Sequence, residues 1–256
     1  MKACIEQRGP RSRLCSFNER EIHYGQENLV DSLLGKASFV DVFIKQTLGR
    51  MPDEAESRML EAVLIVLMEH GLTPSAIATR MVYLSSPENL QSGVAAGLLA
   101  VGSQFVGTME PAAGLLVEIA AAQEQAPQVA RQIARQFREK RAAVPGFGHH
   151  LHRPDDPRAA ALLALAADCG LAGAHCHALK LLSEQIDEAA GRHITINATG
   201  AVAAVLADMN VPASLMRGFA VLARTAGLIS HIAEEQREPL GRYIWDLVDQ
   251  QLSEPA

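Results

Sequence analysis

Apolar residues recur at intervals of three and four positions along most of the chain, the spacing that predicts amphipathic α-helices. In one clear example, Ser38 is a typical N-cap residue, apolar residues stand at positions 39, 40, 43, 44 and 48, and Gly49 ends the run. The same periodicity predicts helices over residues 52–70, 73–84, 92–101, 112–126, 129–141, 158–167 and 173–190, and a long helix or helix pair over 212–232. The pattern therefore predicts a multi-helix, all-α protein.

Two segments depart from this pattern. Residues 1–24 are polar and charged, which predicts a poorly ordered or partner-contacting arm with short strands at best, and residues 27–34 could form one short helix. Residues 89–109 carry no charge, but Gln91 and Ser103 are among the polar residues that interrupt them, so a buried helix pair with a turn is favoured over a transmembrane span. The N-terminus lacks the apolar core of a secretory signal.

Composition narrows the class of protein. Hydrophobic residues make up 48% of the 256 residues and aromatic residues only 4%, which favours close-packed helices in one large domain or two interleaved ones. The formal charge of -6 argues against nucleic acid or an anionic membrane as the main partner, so an anionic ligand would need a local basic pocket. The four cysteines form no CxxC pair and are interpreted as free thiols, which predicts a cytoplasmic protein.

The chemistry is concentrated in residues 144–158. Pro145, Gly146 and Gly148 exclude regular helix, so the segment is a tight loop that carries three histidines, at positions 149, 150 and 152. An Asp-Pro pair then opens the next helix and places Arg158 in its first turn, where a guanidinium and backbone N–H groups can face an anion. Arginine can hold a carboxylate while a neutral histidine polarises or deprotonates a neighbouring oxygen. The alternative is a plain Gly/Pro loop with solvated histidines.

The sequence PGFGHHLHRPDDPR resembles the PG-aromatic-GH…DPR signature of the citrate synthase superfamily, and weaker likeness extends from about residue 35 to 246. The resemblance implies a large helical domain, residues 27–110 plus 221–256, with a smaller helical domain, residues 111–220, inserted in it, behind an arm of residues 1–26. It also implies a ligand cleft between the two domains and a homodimer or higher homo-oligomer.

The same resemblance implies roles for individual side chains. His149 would either take the hydroxyl proton of the substrate or stabilise the forming ketone, and His70 would hydrogen-bond the keto-acid portion. Taken alone, a histidine before Gly71 would be interpreted as a helix C-cap. The carboxylates would be bound by Arg158, Arg224 and Arg242, the last of which commonly reaches the site of the neighbouring subunit in this family.

Two positions depart from the citrate synthase pattern. Phe105 stands where synthases carry a histidine that stabilises the enol, a change shared with the lyase branch and with the C-terminal module of ATP-citrate lyase. Thr199 aligns with the family's proton-transferring aspartate, and a threonine hydroxyl does not titrate near neutral pH. Three explanations are open: Thr199 orders a water that moves the proton, another residue moves it, or the chain binds its ligand without turnover.

Coenzyme A is implied as part of the substrate or product, and no metal or redox cofactor is required. The loop residues Gly146, Phe147 and Gly148 would let the backbone approach it. Its phosphates would be bound by a basic run just before the loop, which includes Arg138, Lys140 and Arg141. A charge run of this kind is also typical of a solvated helix face.

The leading hypothesis is a lyase of the citryl-CoA lyase type. It would cleave a 3-hydroxy-3-carboxyacyl-CoA by a retro-aldol/Claisen route to an acyl-CoA and a 2-oxo acid such as oxaloacetate. One alternative is a condensing enzyme of citrate synthase type, against which Phe105 and Thr199 both argue. The other is a non-catalytic CoA-binding relative, which the missing aspartate motivates.

Overall fold

The computed structural model describes residues 12–102 and 106–252, so Phe105 lies outside the described residues. The described chain forms two compact units that divide after Ser57. The first unit contains a small antiparallel sheet of β1 (Cys15–Phe17), β2 (Ile22–Tyr24) and β3 (Glu27–Asn28), in the order β1-β2-β3. The polar composition of the N-terminal segment predicted short strands at best, and the strands of this sheet are short.

The predicted short helix over residues 27–34 is only partly correct. Glu27 and Asn28 belong to β3, and a π-helical turn covers Leu29–Leu33. The Asn28 side chain accepts hydrogen bonds from the N–H groups of Val30 and Asp31, which starts the turn at that point. Helix α1 (Phe39–Leu48) begins as predicted at Ser38, in a capping box with Asp41, and ends at a left-handed Gly49.

The remaining helices confirm the all-α prediction for the described residues, although several boundaries shift by a few residues. They are α2 (Glu54–Met68), α3 (Pro74–Ser85), α4 (Leu90–Leu99), α5 (Met109–Ala121), α6 (Ala126–Glu139), α7 (Pro157–Asp168), α8 (Ala174–Ala190), α9 (Ala198–Asp208), α10 (Ala213–Arg237) and α11 (Gly241–Leu252).

Over the ranges that it describes, the structure contains neither of the two helix pairs that the sequence suggested. Among the described residues between 89 and 108, one α-helix, α4, is followed by a short 3-10 turn at Val106–Thr108, and α5 begins at Met109, so the predicted helix pair is wrong. Residues 212–232 belong to the single helix α10, which continues to Arg237. In the part of the chain that the structure describes, no helix combines the length and apolarity needed to cross a membrane.

Helix α9 forms the centre of the second unit. Its residues from Ala201 to Leu206 are completely buried, and helices α5, α7, α8 and α10 contact it. Small side chains allow this close approach on every side. At the end of α9, the Asp208 carboxylate accepts N–H groups of Gly173, His175 and Cys176 and thereby caps the start of α8. Asp208 is thus a structural residue, and it fixes α8 on α9.

The division predicted from the family resemblance, residues 27–110 with 221–256 against residues 111–220, remains a prediction. Within the second unit, helix α10 contacts α3 and α4 on one side and α5 on the other. The described cysteines Cys15, Cys169 and Cys176 are free thiols, in agreement with the interpretation of the sequence.

Candidate active site

The histidine-rich loop is hydrogen-bonded to the segment that leads into α9. Gly148 N–H donates to the Thr195 carbonyl at 2.7 Å, Asn197 N–H donates to the Gly146 carbonyl at 3.1 Å, and the Asn197 amide donates to the Gly148 carbonyl at 3.0 Å. Gly146 lies so close to Gly200 that a Cβ on Gly200 would be 2.4 Å from the Gly146 oxygen. These contacts hold the loop against the N-terminus of α9.

Asp156 joins the beginnings of two helices. As predicted, it caps α7, accepting the Arg158 N–H at 3.0 Å, and it also accepts the Ala198 N–H at the start of α9 at 3.1 Å. Its carboxylate binds the Arg158 guanidinium through Nε at 3.0 Å and Nη2 at 2.8 Å. Burial alone would raise the pKa of Asp156, but these hydrogen bonds hold it below its usual value. The ionised Asp156 therefore fixes the direction of Arg158.

A cavity of about 480 Å³ opens where the loop, the end of α2, the start of α9 and α10 meet. Its walls bring together most of the residues that the sequence singled out. From that set it is lined by His70, Gly146, Phe147, Gly148, His149, Arg158, Thr199 and Arg224, and His150 and Asn197 line it as well. Residues far apart in sequence thus share one pocket.

His149 stands at the centre of a cluster of imidazoles. Its ring centroid is 5.3 Å from that of His70 and 4.4 Å from that of His152, against which it stacks. Arg158 lies beside the cluster, with Nη1 3.4 Å from His70 Nδ1 and Nη2 3.4 Å from His149 Nε2. A fixed positive charge and several imidazoles therefore face the same space.

The backbone selects the tautomer of His149. Its Nδ1 accepts N–H groups from Leu151 at 3.1 Å and His152 at 3.0 Å, so the ring proton belongs on Nε2. Burial, followed by the neighbouring His152, His150 and Arg158, lowers the pKa of His149 from 6.5 to about 4. His149 is thus a neutral donor near pH 7. Of its two expected roles, this geometry favours stabilising a substrate oxygen over taking its proton.

We expect this cluster to make the fold sensitive to acid. Because folding lowers the pKa of His149 from 6.5 to about 4, the unfolded chain binds more protons between those values, and stability falls as pH falls through that window. The pKa of His70 is lowered in the same direction, mainly by burial. In thermal unfolding between pH 7.5 and 4, His149→Ala should flatten the decline in Tm. The exposed His177→Ala should keep the wild-type slope, and parallel curves for all three proteins would contradict the prediction.

The histidine cluster also has the spacing of a metal-binding site. The ligand atoms of His70, His149 and His152 lie within 4.8 Å of one another. Ligation needs a free ring lone pair and a proton on the other nitrogen, whereas Nδ1 of His149 already accepts two N–H groups. The Arg158 guanidinium 3.4 Å from Nε2 would also repel a cation. The chemistry of this cluster suits an anion better than a metal ion.

Thr199 has a fully engaged hydroxyl. It donates to Asn197 Oδ1 at 2.7 Å and lies 2.9 Å from the Thr108 hydroxyl. Asn197 Oδ1 in turn accepts the Gly200 N–H and caps α9. Thr199 therefore shapes the start of α9 and the pocket wall, and its chemistry offers no substitute for a carboxylate base.

Arg224 is buried in α10 with little compensation. It is 5% exposed, and its Nε and Nη1 atoms find no hydrogen-bond partner among the described residues. The carboxylate oxygen Oε2 of Glu69 lies 3.8 Å from Nη1. Burial lowers the pKa of Arg224 and Glu69 partly offsets this. An unsatisfied guanidinium that lines a cavity is a strong indication of an anionic ligand.

A second cavity, of about 400 Å³, continues from the first along Val144, Phe147, Gly148 and His149. Arg138 lies on the wall of this cavity, and its role in binding the coenzyme remains a prediction. Lys140 and Arg141 follow α6 and are exposed. In the described part of the chain, they line neither of these two cavities.

Arg242 is not part of the pocket within one chain. It lies on α11, where its side chain is 64% exposed, pairs with Asp246 at 3.0 Å and stacks over Trp245 at 4.8 Å. Its role at a neighbouring subunit's site remains a prediction.

Several contributing residues were missed by the sequence analysis. Asp156 was identified only as a cap and His150 only as a loop residue, and Asn197 was given no role. Glu69 gave no signal beyond its place before His70. Their contacts involve partners distant in the chain, which spacing does not reveal.

Residues 16–244 match the family described as citrate synthase, C-terminal domain, so this protein belongs to the citrate synthase family. This confirms the resemblance, and the citrate-synthase-like fold is confirmed as well. The structure is similar to citryl-CoA lyase from Hydrogenobacter thermophilus, with a TM-score of 0.85 and 30% identity, covering 97% of this chain and 95% of that one.

Two further relatives are more distant. ATP citrate lyase from Methanosaeta concilii, solved with (3S)-citryl-CoA, has a TM-score of 0.73 and 22% identity over 90% of this chain and 40% of that one, which shows the fold alone. Putative citrate synthase 2 from Mycobacterium tuberculosis is 28% identical over 196 residues, 75% of this chain and 51% of that protein. The chain thus spans about half the length of the citrate synthase relatives it matches.

Proposed function

We propose that this protein is a lyase of the citryl-CoA lyase type, which cleaves a 3-hydroxy-3-carboxyacyl-CoA into an acyl-CoA and a 2-oxo acid such as oxaloacetate. One observation carries the proposal: the guanidiniums of Arg158 and Arg224 and the neutral His149 line one cavity, and that cavity continues into a second one. The similarity to a citryl-CoA lyase over nearly the whole of both chains supports the same reaction.

The first cavity suits the polycarboxylate part of such a substrate. Arg158 and Arg224 would each bind a carboxylate, and each charge-assisted contact contributes on the order of 1.5 to 3 kcal/mol. His149 Nε2–H would donate to the oxygen that is a hydroxyl in the substrate and a carbonyl in the product. The carbon–carbon bond would break as that hydroxyl loses its proton. The electron pair of the broken carbon–carbon bond would pass to the α-carbon of the thioester, and that carbon would then take up a proton.

The proton carrier in this reaction is an imidazole in our proposal. Among the described lining residues of the cavity there is no Asp or Glu, and Thr199 cannot titrate near neutral pH. His70 and His150 both line the cavity. The pKa of His70 is lowered, chiefly by burial, which keeps this ring neutral and able to accept a proton.

The second cavity would hold the coenzyme A tail, which would leave along Phe147 and Gly148 toward Arg138. We further propose a homodimer, in which Arg242 completes the site of the partner chain. Helix α11 supports this proposal because it leaves Tyr243, Trp245 and Leu252 exposed beside Arg242.

The test is to incubate the protein with citryl-CoA and related thioesters and to measure acetyl-CoA and oxaloacetate. His149→Ala should lower kcat by roughly 100- to 1,000-fold, the usual effect of removing one donor to a developing oxyanion. His177→Ala, a histidine on the exposed face of α8, should retain wild-type activity. Failure of the wild-type protein to cleave any of these thioesters would refute the lyase proposal.

A non-catalytic CoA-binding protein is the second candidate. It is favoured by one observation, the engaged Thr199 hydroxyl in place of a carboxylate. Binding of coenzyme A with no turnover in either direction, unchanged by His149→Ala, would support it. Release of free thiol from acetyl-CoA and oxaloacetate would instead identify a condensing enzyme.

A further inference from the structure

Helix α10 lies directly against the end of α2. A Cβ on Gly227 would be 2.0 Å from the Met68 carbonyl oxygen, so only glycine permits this approach. Arg224 and His231, about one turn before and after Gly227, lie on the same face of α10. Glu69, the residue after Met68, therefore enters between them.

The Glu69 carboxylate contacts both neighbours. Its Oε2 is 3.0 Å from His231 Nε2 and 3.8 Å from Arg224 Nη1. Its Oε1 accepts the backbone N–H groups of His70 at 2.8 Å and Gly71 at 2.6 Å. One carboxylate thus fixes the turn that carries His70 and faces the buried guanidinium of Arg224.

A buried network orients His231 toward Glu69. Arg80, which is completely buried, donates through Nε to His231 Nδ1 at 3.2 Å, so the proton of His231 belongs on Nε2, toward Glu69. Arg80 is held in turn by Glu235 at 2.6 Å and by Glu234. His231 Nε2 lies 3.0 Å from Glu69 Oε2 but finds no hydrogen-bond partner of good geometry among the described residues, so this N–H is attracted to the Glu69 carboxylate without a formed hydrogen bond.

We propose that Glu69 is a positioning residue that holds Arg224 and His70 ready for a substrate carboxylate and, by its own charge, limits how tightly that carboxylate binds. At 3.8 Å, Glu69 forms no hydrogen bond with Arg224, so the hydrogen-bonding capacity of Nε and Nη1 remains unused. A carboxylate bound to Arg224 would lie close to a second negative charge and would be repelled by it. This inference rests on the proposed function, because it takes a polycarboxylate as the ligand.

The test uses Glu69→Gln, which removes the charge and keeps the size of the side chain. If repulsion limits affinity, the variant should bind citrate roughly 3- to 10-fold more tightly than the wild-type protein in isothermal titration calorimetry. Glu61→Gln, the same charge change at an exposed position of α2, should leave citrate affinity unchanged. Glu69→Asp, which keeps the charge, should bind citrate no more tightly than wild type.

A purely structural role for Glu69 predicts the opposite, namely weaker citrate binding by both Glu69 variants, and this result would overturn the inference. Glu69→Gln would turn its NH2 group either toward His231 Nε2–H or toward the backbone N–H groups of His70 and Gly71, and both arrangements oppose two donors, so the variant should also lower Tm. Citrate should then raise the Tm of Glu69→Gln by more than it raises that of wild type, because it supplies the missing counter-charge to Arg224. A variant that stays unfolded even with citrate would overturn the inference as well.

The two proposals fail in different ways. If the wild-type protein cleaves no thioester but Glu69→Gln still binds citrate more tightly, the lyase proposal fails and the role of Glu69 stands. If the protein is an active lyase and Glu69→Gln binds citrate equally or less tightly than wild type, the lyase proposal stands and the role of Glu69 fails. Absence of citrate binding by both proteins would refute the role of Glu69.

Discussion

Arg158→Gln is expected to lower kcat/KM for citryl-CoA cleavage by roughly 100- to 1,000-fold, because the guanidinium would bind a substrate carboxylate with paired hydrogen bonds. The fold should survive the change, since Asp156 would still accept the backbone N–H groups of residue 158 and Ala198. Steady-state kinetics and circular dichroism of the purified variant would measure the two effects separately.

Two further variants sharpen this prediction. Arg158→Lys keeps the positive charge but cannot donate two parallel hydrogen bonds to a carboxylate. It should therefore retain only part of the activity that Arg158→Gln loses. Arg237→Gln changes the same charge at the exposed end of α10 and should behave as wild type. A kcat/KM for Arg158→Gln within threefold of the wild-type value would show that this arginine does not bind the reacting carboxylate.

Gly200→Ala should damage both stability and activity. A Cβ there would be 2.4 Å from the Gly146 oxygen and 3.0 Å from the Gly146 carbonyl carbon and Cα, which are backbone atoms that cannot rotate away. Helix α9 is buried on all sides, so we expect a loss of about 3 kcal/mol or more in the free energy of unfolding. A displacement of the loop by about 1 Å would move His149 and lower kcat about 100-fold.

Chemical denaturation and kinetics would test this variant against a matched control. Gly114→Ala in α5 places its Cβ where no described atom lies within 4 Å, and it should stabilise the fold by about 0.5 to 1 kcal/mol. If Gly200→Ala unfolds at the same denaturant concentration as Gly114→Ala, the loop and α9 are not packed as closely as the structure indicates.

The order of helices and the location of the loop could be predicted because both depend on local chemistry. The Ser38 cap, the Asp156 cap and the end of α1 at Gly49 are where their residue types indicate. Over residues 89–109 the sequence predicted a helix pair, and this prediction was wrong. The uniform lack of charge in this segment provides no periodic signal to separate a helix from the 3-10 turn at Val106–Thr108.

The sequence by itself determined the helical class, the loop with its histidines, and the family through which His149, Arg158 and Arg224 were singled out. Only the tertiary structure decided that Nδ1 of His149 accepts two backbone N–H groups and that Glu69 lies between Arg224 and His231. Periodicity and capping express interactions within a few residues, whereas a tautomer or an ion pair depends on which distant groups packing brings within about 3 Å to 4 Å. Those long-range contacts set the charge and the proton positions of the pocket, and so its chemistry.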